Sequence, residues 1–301
     1  MPVPIELRQL KVTSLDIDFH EVSWAVAPTT VDILDYQFQV LRSESSEGPF
    51  EALTEPFEDR YNFIDNIIQV LHRWRTYQYI IRVTEKVSKD YKDFGPVSHE
   101  PEPDIVAIEL RRHIRILFQE FAGRRCIVLP VRTFGQRCPD CWHPVLQKVT
   151  KSGCLTCYGT GFNRGYLHPI EAYIQIDPST KSNQHSNPGE TQQDNTTMRM
   201  GYYPSIKPHD LIIEGENIRW RVEEQTQTEH SRAAVHQEVK LHRVPEKDIE
   251  YSIPVHFGKS LKNLFLTPAR NYSNPTNLSN FEENEIPGIF GLFPCNYPRQ
   301  P

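Results

Sequence analysis

Four cysteines in two close pairs are the residues of this chain whose spacing most clearly indicates chemistry. Cys138 and Cys141 enclose Pro-Asp, twelve residues follow, and Cys154 and Cys157 enclose Leu-Thr. Two such pairs joined by a short loop can place four thiolates at the corners of one tetrahedron, which is the geometry of a closed zinc site. The sequence therefore predicts one bound Zn²⁺. The alternatives are two disulfides, which across Cys-x-x-Cys are strained or redox-active, or four free thiols.

A site with four cysteine ligands leaves no coordination position open for water or substrate, so we expect the metal to stabilise the fold rather than to catalyse. Four glycines flank the pairs and are expected to let the backbone turn tightly and direct N–H groups at the sulfurs: Gly135, Gly153, Gly159 and Gly161. His143 and His168 are the alternative ligands nearby. The stretch 154–161 resembles the Cys-x-x-Cys-x-Gly-x-Gly unit of DnaJ-type zinc domains, but the first pair lacks the glycines and no J-domain His-Pro-Asp precedes it.

No catalytic motif is found elsewhere in the sequence. It contains no Gly-x-Ser-x-Gly, no His-Glu-x-x-His and no phosphate-binding glycine-rich loop. The acidic pair Glu223-Glu224 follows a predicted strand, and we interpret it as surface because paired carboxylates need a shared pocket to do acid–base chemistry. The chain is therefore not expected to be an enzyme.

Composition limits the remaining classes of function. The 301 residues suggest two or three domains, and the net charge of −6 provides no general basic field for a phosphate backbone, although a local patch remains open. The 24 prolines and 13 tyrosines favour strands and extended segments. No apolar run or leader pattern predicts membrane insertion or secretion. The leftover Cys126 and Cys295 beside a zinc site fit a protein made in a reducing cytoplasm.

Residues 1–99 are predicted to form a β-sandwich, because short segments of alternating polarity are separated by turn residues. Four segments resemble the fibronectin type III family: 22–24 its B strand, 36–40 its C strand, 77–83 its F strand with a tyrosine-corner candidate at Tyr77, and 95–98 the end of its G strand. The segment 63–74 departs from that pattern and is predicted to insert a helical turn. The fold alone does not imply an activity.

Residues 100–124 are predicted to be an acidic, proline-rich linker followed by a helix over 105–121 that ends at a left-handed Gly123. The apolar positions of this helix recur mainly at spacings of three, four and seven: Ile105, Ile108, Ile114, Leu117, Phe118 and Phe121. Arg111, Arg112 and Arg115 form a basic face. We interpret that face as solvated, with docking to an acidic partner as the alternative.

Residues 125–250 are predicted to form a small β-barrel, with an open sheet as the alternative, and to include the zinc knuckle at 136–162 and a flexible loop at 177–197. Lys207–Ile213 followed by Ile218–Val222 resembles the β-barrel of tailed-bacteriophage neck and head-closure proteins, with His209 where that group has glycine. The fold class expected for the whole chain is mainly β. It comprises an N-terminal sandwich, a linker helix, the barrel and an extended C-terminal arm at 251–301.

The C-terminal arm is rich in proline, asparagine and isolated phenylalanines, which suggests anchoring in a neighbouring subunit; a disordered tail is the alternative. Residues 286–293 are apolar enough that we expect them to be ordered only in an assembly.

The phage resemblance implies a structural virion protein, made in the host cytoplasm, that forms a homo-oligomeric ring in the neck between head and tail. Its expected partners are portal or adaptor and tail proteins, with DNA only as cargo passing through a channel. The alternatives are a decoration or adhesion protein acting through the fibronectin-like domain, and a zinc-knuckle chaperone or assembly factor.

Overall fold

The computed structural model describes these residues: 3–16, 19–27, 29, 31–65, 76–98, 104–151, 153–177, 180–186, 189–254, 256–257 and 264–265. They divide into two compact units, whose main boundary lies between residues 98 and 104. Within the described residues, no helix has both the length and the apolar character needed to cross a membrane. The predicted linker at 100–103 and most of the predicted C-terminal arm lie outside them. Of the segment 63–74, which was predicted to insert a helical turn, residues 63–65 belong to a β-strand and the remainder also lies outside the described residues.

The first unit is a sandwich of two antiparallel sheets. Its three-stranded sheet consists of, in spatial order, β1 (Leu7–Asp16), β2 (Phe19–Val26) and β5 (Asn62–Asp65). Its four-stranded sheet consists of β4 (Glu51–Ala52), β3 (Tyr36–Ser43), β6 (Gln78–Glu85) and β7 (Tyr91–Ser98). Alternate residues of β2, β3 and β6 are buried, so these strands carry the period-two pattern that the sequence predicts. Trp24 of one sheet packs 6.0 Å from Phe38 of the other, measured between ring centroids.

A chain of buried polar groups crosses this sandwich. The Tyr79 hydroxyl donates to Asp65 at 3.0 Å and lies 2.9 Å from Nδ1 of His20. Arg42 donates to the same carboxylate at 2.7 Å and stacks over the ring of Tyr77. Burial and the neighbouring Asp65 raise the pKa of Tyr79, so its hydroxyl remains a donor. The network satisfies a carboxylate that would otherwise be buried without a partner.

The second unit contains a closed six-stranded β-barrel. Its strands, in spatial order, are β11 (Ile170–Ile176), β8 (Arg124–Leu129), β14 (Leu211–Ile213), β15 (Arg219–His230), β16 (Ala233–Arg243) and β13 (Gly189–Gly201), and pairing of β11 with β13 closes the ring. A fully buried set of side chains fills the interior, including Ile174, Met198, Met200 and Leu241. The predicted mainly β fold class, with its barrel and single linker helix, is confirmed.

The segment 177–197 differs from its prediction as a loop. It contains β12 (Thr180–Ser186), which pairs with the first half of β13 as an antiparallel hairpin that extends the barrel sheet. A hairpin of this kind is held by main-chain hydrogen bonds, which do not depend on the type of side chain. The sequence of this segment is polar at almost every position, so it lacks the alternation of apolar and polar residues that would predict a strand.

The linker helix α1 (Ile105–Ile116) continues into a π-helical turn at Leu117–Ala122. It packs on β16 through a face that includes Ile108 and Arg111, whereas Ile105 and Phe121 of the predicted apolar stripe are exposed. Arg111 is buried: its Nε donates to the carbonyl of Ala234 at 2.6 Å, and its guanidinium lies over the ring of Tyr202. The interpretation of this arginine as solvated was wrong.

Gly123 ends the helix in extended conformation, so the predicted left-handed cap is also wrong. Its N–H donates to the carbonyl of Phe118 at 3.0 Å, and a side chain at Gly123 would collide with that carbonyl group. The glycine is therefore required for close approach of the backbone rather than for its φ angle.

The Pro-His-Asp turn before β14 is anchored by a buried carboxylate. Asp210 is 1% exposed; it accepts hydrogen bonds from the main-chain N–H of Val131 at 2.8 Å and of Lys207 at 2.7 Å. His209 adopts a φ of 72°, the left-handed region that suits the glycine of the resembled motif. Asp210 therefore joins the turn to the end of β8.

The ionisation of Asp210 is expected to make the free energy of unfolding of this protein depend on pH. Burial raises its pKa to about 6, although the two N–H donors and Lys207 favour the ionised form. Between an unfolded pKa near 3.8 and this folded value, the folded state binds the extra proton, so the free energy of unfolding falls as the pH rises. We expect the wild type to lose about 2 kcal/mol relative to Asp210→Asn between pH 4 and pH 7.5. Urea unfolding of the wild type and of Asp210→Asn at both pH values measures the two free energies of unfolding. If the difference between the two proteins does not change with pH, the prediction is contradicted.

Candidate metal centre

The structure brings all four predicted cysteine ligands together. The Sγ atoms of Cys138, Cys141, Cys154 and Cys157 lie within 4.8 Å of one another, and all four residues are buried. The sulfurs of Cys138 and Cys154 are 3.7 Å apart, and those of Cys141 and Cys157 are 3.2 Å apart. A tetrahedral tetrathiolate site with metal–sulfur bonds of about 2.3 Å separates its sulfurs by about 3.8 Å. The cluster fits a single metal ion, whereas both separations exceed the roughly 2.05 Å of a disulfide.

Main-chain turns position each cysteine pair. The N–H of Trp142 donates to the carbonyl of Cys138 at 3.1 Å, and the N–H of Tyr158 donates to that of Cys154 at 2.8 Å. These hydrogen bonds close one tight turn around each Cys-x-x-Cys unit. A two-stranded ribbon of β9 (Trp142–His143) and β10 (Lys148–Val149) then returns the chain towards the second pair.

The electrostatics of the cluster favour thiolate formation at one cysteine first. Burial acts to raise the pKa of Cys154, but hydrogen bonds from the main-chain N–H groups of Thr156 and Cys157 outweigh it, and the pKa falls to about 7. Burial raises the pKa of Cys138 and of Cys141. A divalent cation would supply the positive charge that the remaining thiolates require, and its binding would release their protons.

The metal module, which we define as residues 130–169, connects two neighbouring strands of the barrel. Antiparallel pairing of β8 with β11 brings its two ends together, and the N–H of Leu167 donates to the carbonyl of Pro130 at 2.9 Å. Tyr158, directly after the last cysteine, packs into the barrel core with Leu129, Leu211 and other apolar residues. The module is thus continuous with the barrel core and not a separate appendage.

Glycines allow the close backbone approaches in the module. Gly135, Gly159, Gly161 and Gly165 have positive φ angles, as expected for the first three; Gly153 does not. At Gly165, with φ of 69°, a Cβ atom would lie 2.6 Å from the carbonyl oxygen of Cys157. This glycine was not singled out from the sequence, because it lies beyond the Cys-x-x-Cys-x-Gly-x-Gly unit.

We expect Gly165→Ala to destabilise the metal module by about 1–3 kcal/mol, because the substitution combines a left-handed φ with a backbone collision. Transfer of zinc from the reconstituted variant to the chromogenic chelator 4-(2-pyridylazo)resorcinol should be faster than from the wild type. Gly153→Ala is the matched control, since a Cβ atom there meets nothing within 4 Å. Equal transfer rates for the two variants would contradict the assignment.

The other candidate residues lie apart from the cluster. His143 is exposed and its Nδ1 accepts a hydrogen bond from the N–H of Leu146, while the exposed His168 lies against the carbonyl of Pro169. Glu223 and Glu224 are exposed on β15, where Glu224 pairs with a lysine. Across the described residues, these four cysteines are the only group of three or more His, Cys, Asp or Glu side chains that lie close enough together to share one metal ion.

Sequence analysis missed a stacked arginine beside the site. The guanidinium of Arg137 lies 3.9 Å from the ring centroid of Trp142 and 4.0 Å from that of Phe162, so it is held between two aromatic faces. The aromatic residues were visible in the sequence, but their approach depends on pairing of Arg137 with Phe162 across the module.

Comparisons with known proteins add little to this geometry. No protein-family model matches the chain. No curated protein matches it either. Among solved structures, it is similar to protein xkdH of the phage-like element PBSX of Bacillus subtilis, with 11% identity and a TM-score of 0.22, over 40% of this chain and 93% of that chain. At this TM-score the similarity supports no argument about fold or function, so the interpretation rests on the residues themselves.

Proposed function

We propose that this protein is a structural component of a tailed-phage particle, in which it forms a homo-oligomeric ring of the neck and carries a structural Zn²⁺. One observation carries the proposal: the motif that resembles neck proteins, residues 207–213 and 218–222, forms adjoining strands of a closed barrel. Asp210 anchors its turn, and Trp220 of the second strand donates to Glu214, directly after the first strand, at 3.2 Å. The conspicuous residues of the motif thus have structural roles.

The chemistry of the donor set supports zinc. Four thiolates in a tetrahedral arrangement suit zinc, and iron as well, and we propose zinc because the spacing of the two cysteine pairs is typical of closed structural zinc sites. Zinc would hold the module rigid where few apolar residues are present to do so, because Val149 is the one partly buried apolar residue among those described that packs against the cysteine cluster.

A mechanical function follows from this arrangement. A ring of barrels would continue the channel between portal and tail, with DNA passing through without sequence recognition. The proposal includes no catalytic step, since a four-thiolate site has no exchangeable ligand position. Assembly in the host cytoplasm would precede incorporation into the virion.

Native mass spectrometry of the purified full chain, with and without a strong chelator, tests the proposal. We expect one zinc ion per chain and either a closed ring or a monomer that forms rings when the adjoining virion protein is added. Loss of zinc should reduce assembly. A zinc-loaded monomer that assembles with no virion protein, but binds cell or capsid surfaces, would contradict the ring and favour the decoration or adhesion role.

A further inference from the structure

The metal module carries a charge opposite to that of the whole protein. The chain has a net charge of −6, yet the module contains five basic side chains against the single acidic Asp140: Arg132, Arg137, Lys148, Lys151 and Arg164. Four thiolates with one divalent ion would contribute −2, which leaves the loaded module at about +2. Arg137, Lys148 and Lys151 are exposed. A positive surface on an acidic protein attracts acidic partners, which include acidic segments of a second copy of the same chain.

The same module exposes apolar side chains. Val145 is 84% exposed and Leu146 is 56% exposed, both in the turn that joins β9 to β10. Leu155, between the last two cysteines, is 64% exposed. Its neighbour Thr156 donates to Asp140 of the first pair, so the two cysteine turns lie side by side. Apolar groups grouped with basic ones on so small a module are typical of a surface that binds a partner.

The module is also held rigid before any partner arrives. The four thiols converge at its centre, and Arg137 is fixed between two aromatic rings. A surface that is already ordered loses little conformational entropy on binding, which raises affinity for a flexible segment.

One segment of this chain matches the surface of the metal module both in charge and in apolar character. Residues 281–293 begin with a phenylalanine and three glutamates, Glu282, Glu283 and Glu285, and continue with the apolar run 286–293. They lie outside the described residues, and they begin sixteen positions after Phe265, a distance of up to about 50 Å in extended chain. That reach is sufficient for a neighbouring molecule.

We infer that the metal module of one copy binds residues 281–293 of a second copy, with the glutamates against its lysines and Arg137, and the apolar run against Val145, Leu146 and Leu155. The inference deepens the proposed function and rests on it for the presence of a second copy. Because the two surfaces are different, each copy binds one neighbour and is bound by another, as a ring requires.

Photo-crosslinking from Leu146 tests the contact in the zinc-loaded full chain. The photoreactive residue p-benzoylphenylalanine replaces Leu146, and equal amounts of unlabelled and ¹⁵N-labelled protein are mixed before irradiation. We expect crosslinked peptides that join position 146 of one isotope to residues 281–293 of the other. The same photoreactive residue at the exposed Val87 of the first unit is the control.

Charge reversal tests the electrostatic part. Lys148→Glu combined with Lys151→Glu should lower the yield of this crosslink about tenfold or more, and addition of Glu282→Lys and Glu283→Lys should restore it. Zinc content must be unchanged in every variant. Reversal of two exposed lysines elsewhere, Lys89 and Lys247, should leave the yield unchanged.

Other crosslinking results would overturn the inference. Crosslinks to residues 281–293 of the same isotope only, crosslinks to other segments only, or no crosslinks at all would each do so. Binding of a 30-base-pair DNA duplex that depends on Lys148 and Lys151, without crosslinks between copies, would instead assign the surface to nucleic acid. Rings that form without this crosslink would contradict the inference and leave the proposed function intact. Crosslinked copies that do not assemble into a closed ring would support the inference and contradict the proposed ring.

Discussion

Substitution of Cys154 by serine is expected to abolish stoichiometric metal binding and to unfold the metal module while the N-terminal sandwich remains folded. Hydrogen bonds from two main-chain N–H groups lower the pKa of the Cys154 thiol, so this residue is prepared to act as a thiolate ligand. Loss of an outer hydrogen bond at a metal site costs about 10–100-fold in affinity, and loss of a ligand should cost more. Because Tyr158 belongs to the barrel core, the midpoint temperature of thermal unfolding of the second unit should also fall.

Metal content by mass spectrometry and thermal unfolding by circular dichroism measure these effects. Cys126→Ser is the control: Cys126 is fully buried in β8 and is not part of the cluster, so the same chemical change there should leave the metal in place. Retention of one tightly bound zinc ion by Cys154→Ser, together with normal assembly, would show that the site is not structural.

The second large effect is expected at Arg219. This side chain is 1% exposed and donates hydrogen bonds to the carbonyl groups of Glu250 and Ile253, the latter at 2.8 Å, as well as to the side chain of Asn217. It thereby attaches the 3₁₀ turn at Ile249–Ser252 to the first residue of β15. Arg219→Met should lower the free energy of unfolding by about 3–5 kcal/mol, because two buried carbonyl groups lose their donor.

Urea unfolding followed by tryptophan fluorescence measures the effect of Arg219→Met, since Trp220 lies beside it in the barrel. Lys240→Met, which removes an exposed ion pair with Glu224 in the same sheet, should leave the midpoint close to that of the wild type. A similar midpoint for Arg219→Met and the wild type would mean that water replaces the arginine, and that the 3₁₀ turn does not depend on it.

The metal cluster could be predicted from sequence because a short-range spacing rule specifies it. The cysteines within each pair are three residues apart, and few alternative arrangements of two such turns bring four sulfurs together. The sandwich strands were predictable for a similar reason, since alternation in β2, β3 and β6 directly records one buried face.

Features that depend on partners distant in sequence were not predictable. Arg111 and Arg219 look like surface residues in the sequence, but both are buried because they donate to main-chain carbonyl groups far away in the chain. The acceptor of Arg111 is 123 positions away, and the acceptors of Arg219 are 31 or more positions away. The β12–β13 hairpin carries no apolar pattern, so only its pairing within the barrel sheet identifies it. Long-range hydrogen bonds leave no local period in the sequence, whereas apolar faces do.

Direct pairing of β8 with β11 has a consequence for the order of folding. The barrel holds together the two ends of the metal module, so most of the entropy of closing that loop is already lost once the two strands pair. The cysteines of an unpaired chain would have to meet across a freely fluctuating loop. We therefore expect metal capture to follow the pairing of these two strands, so that nascent chains can form the barrel before they encounter zinc.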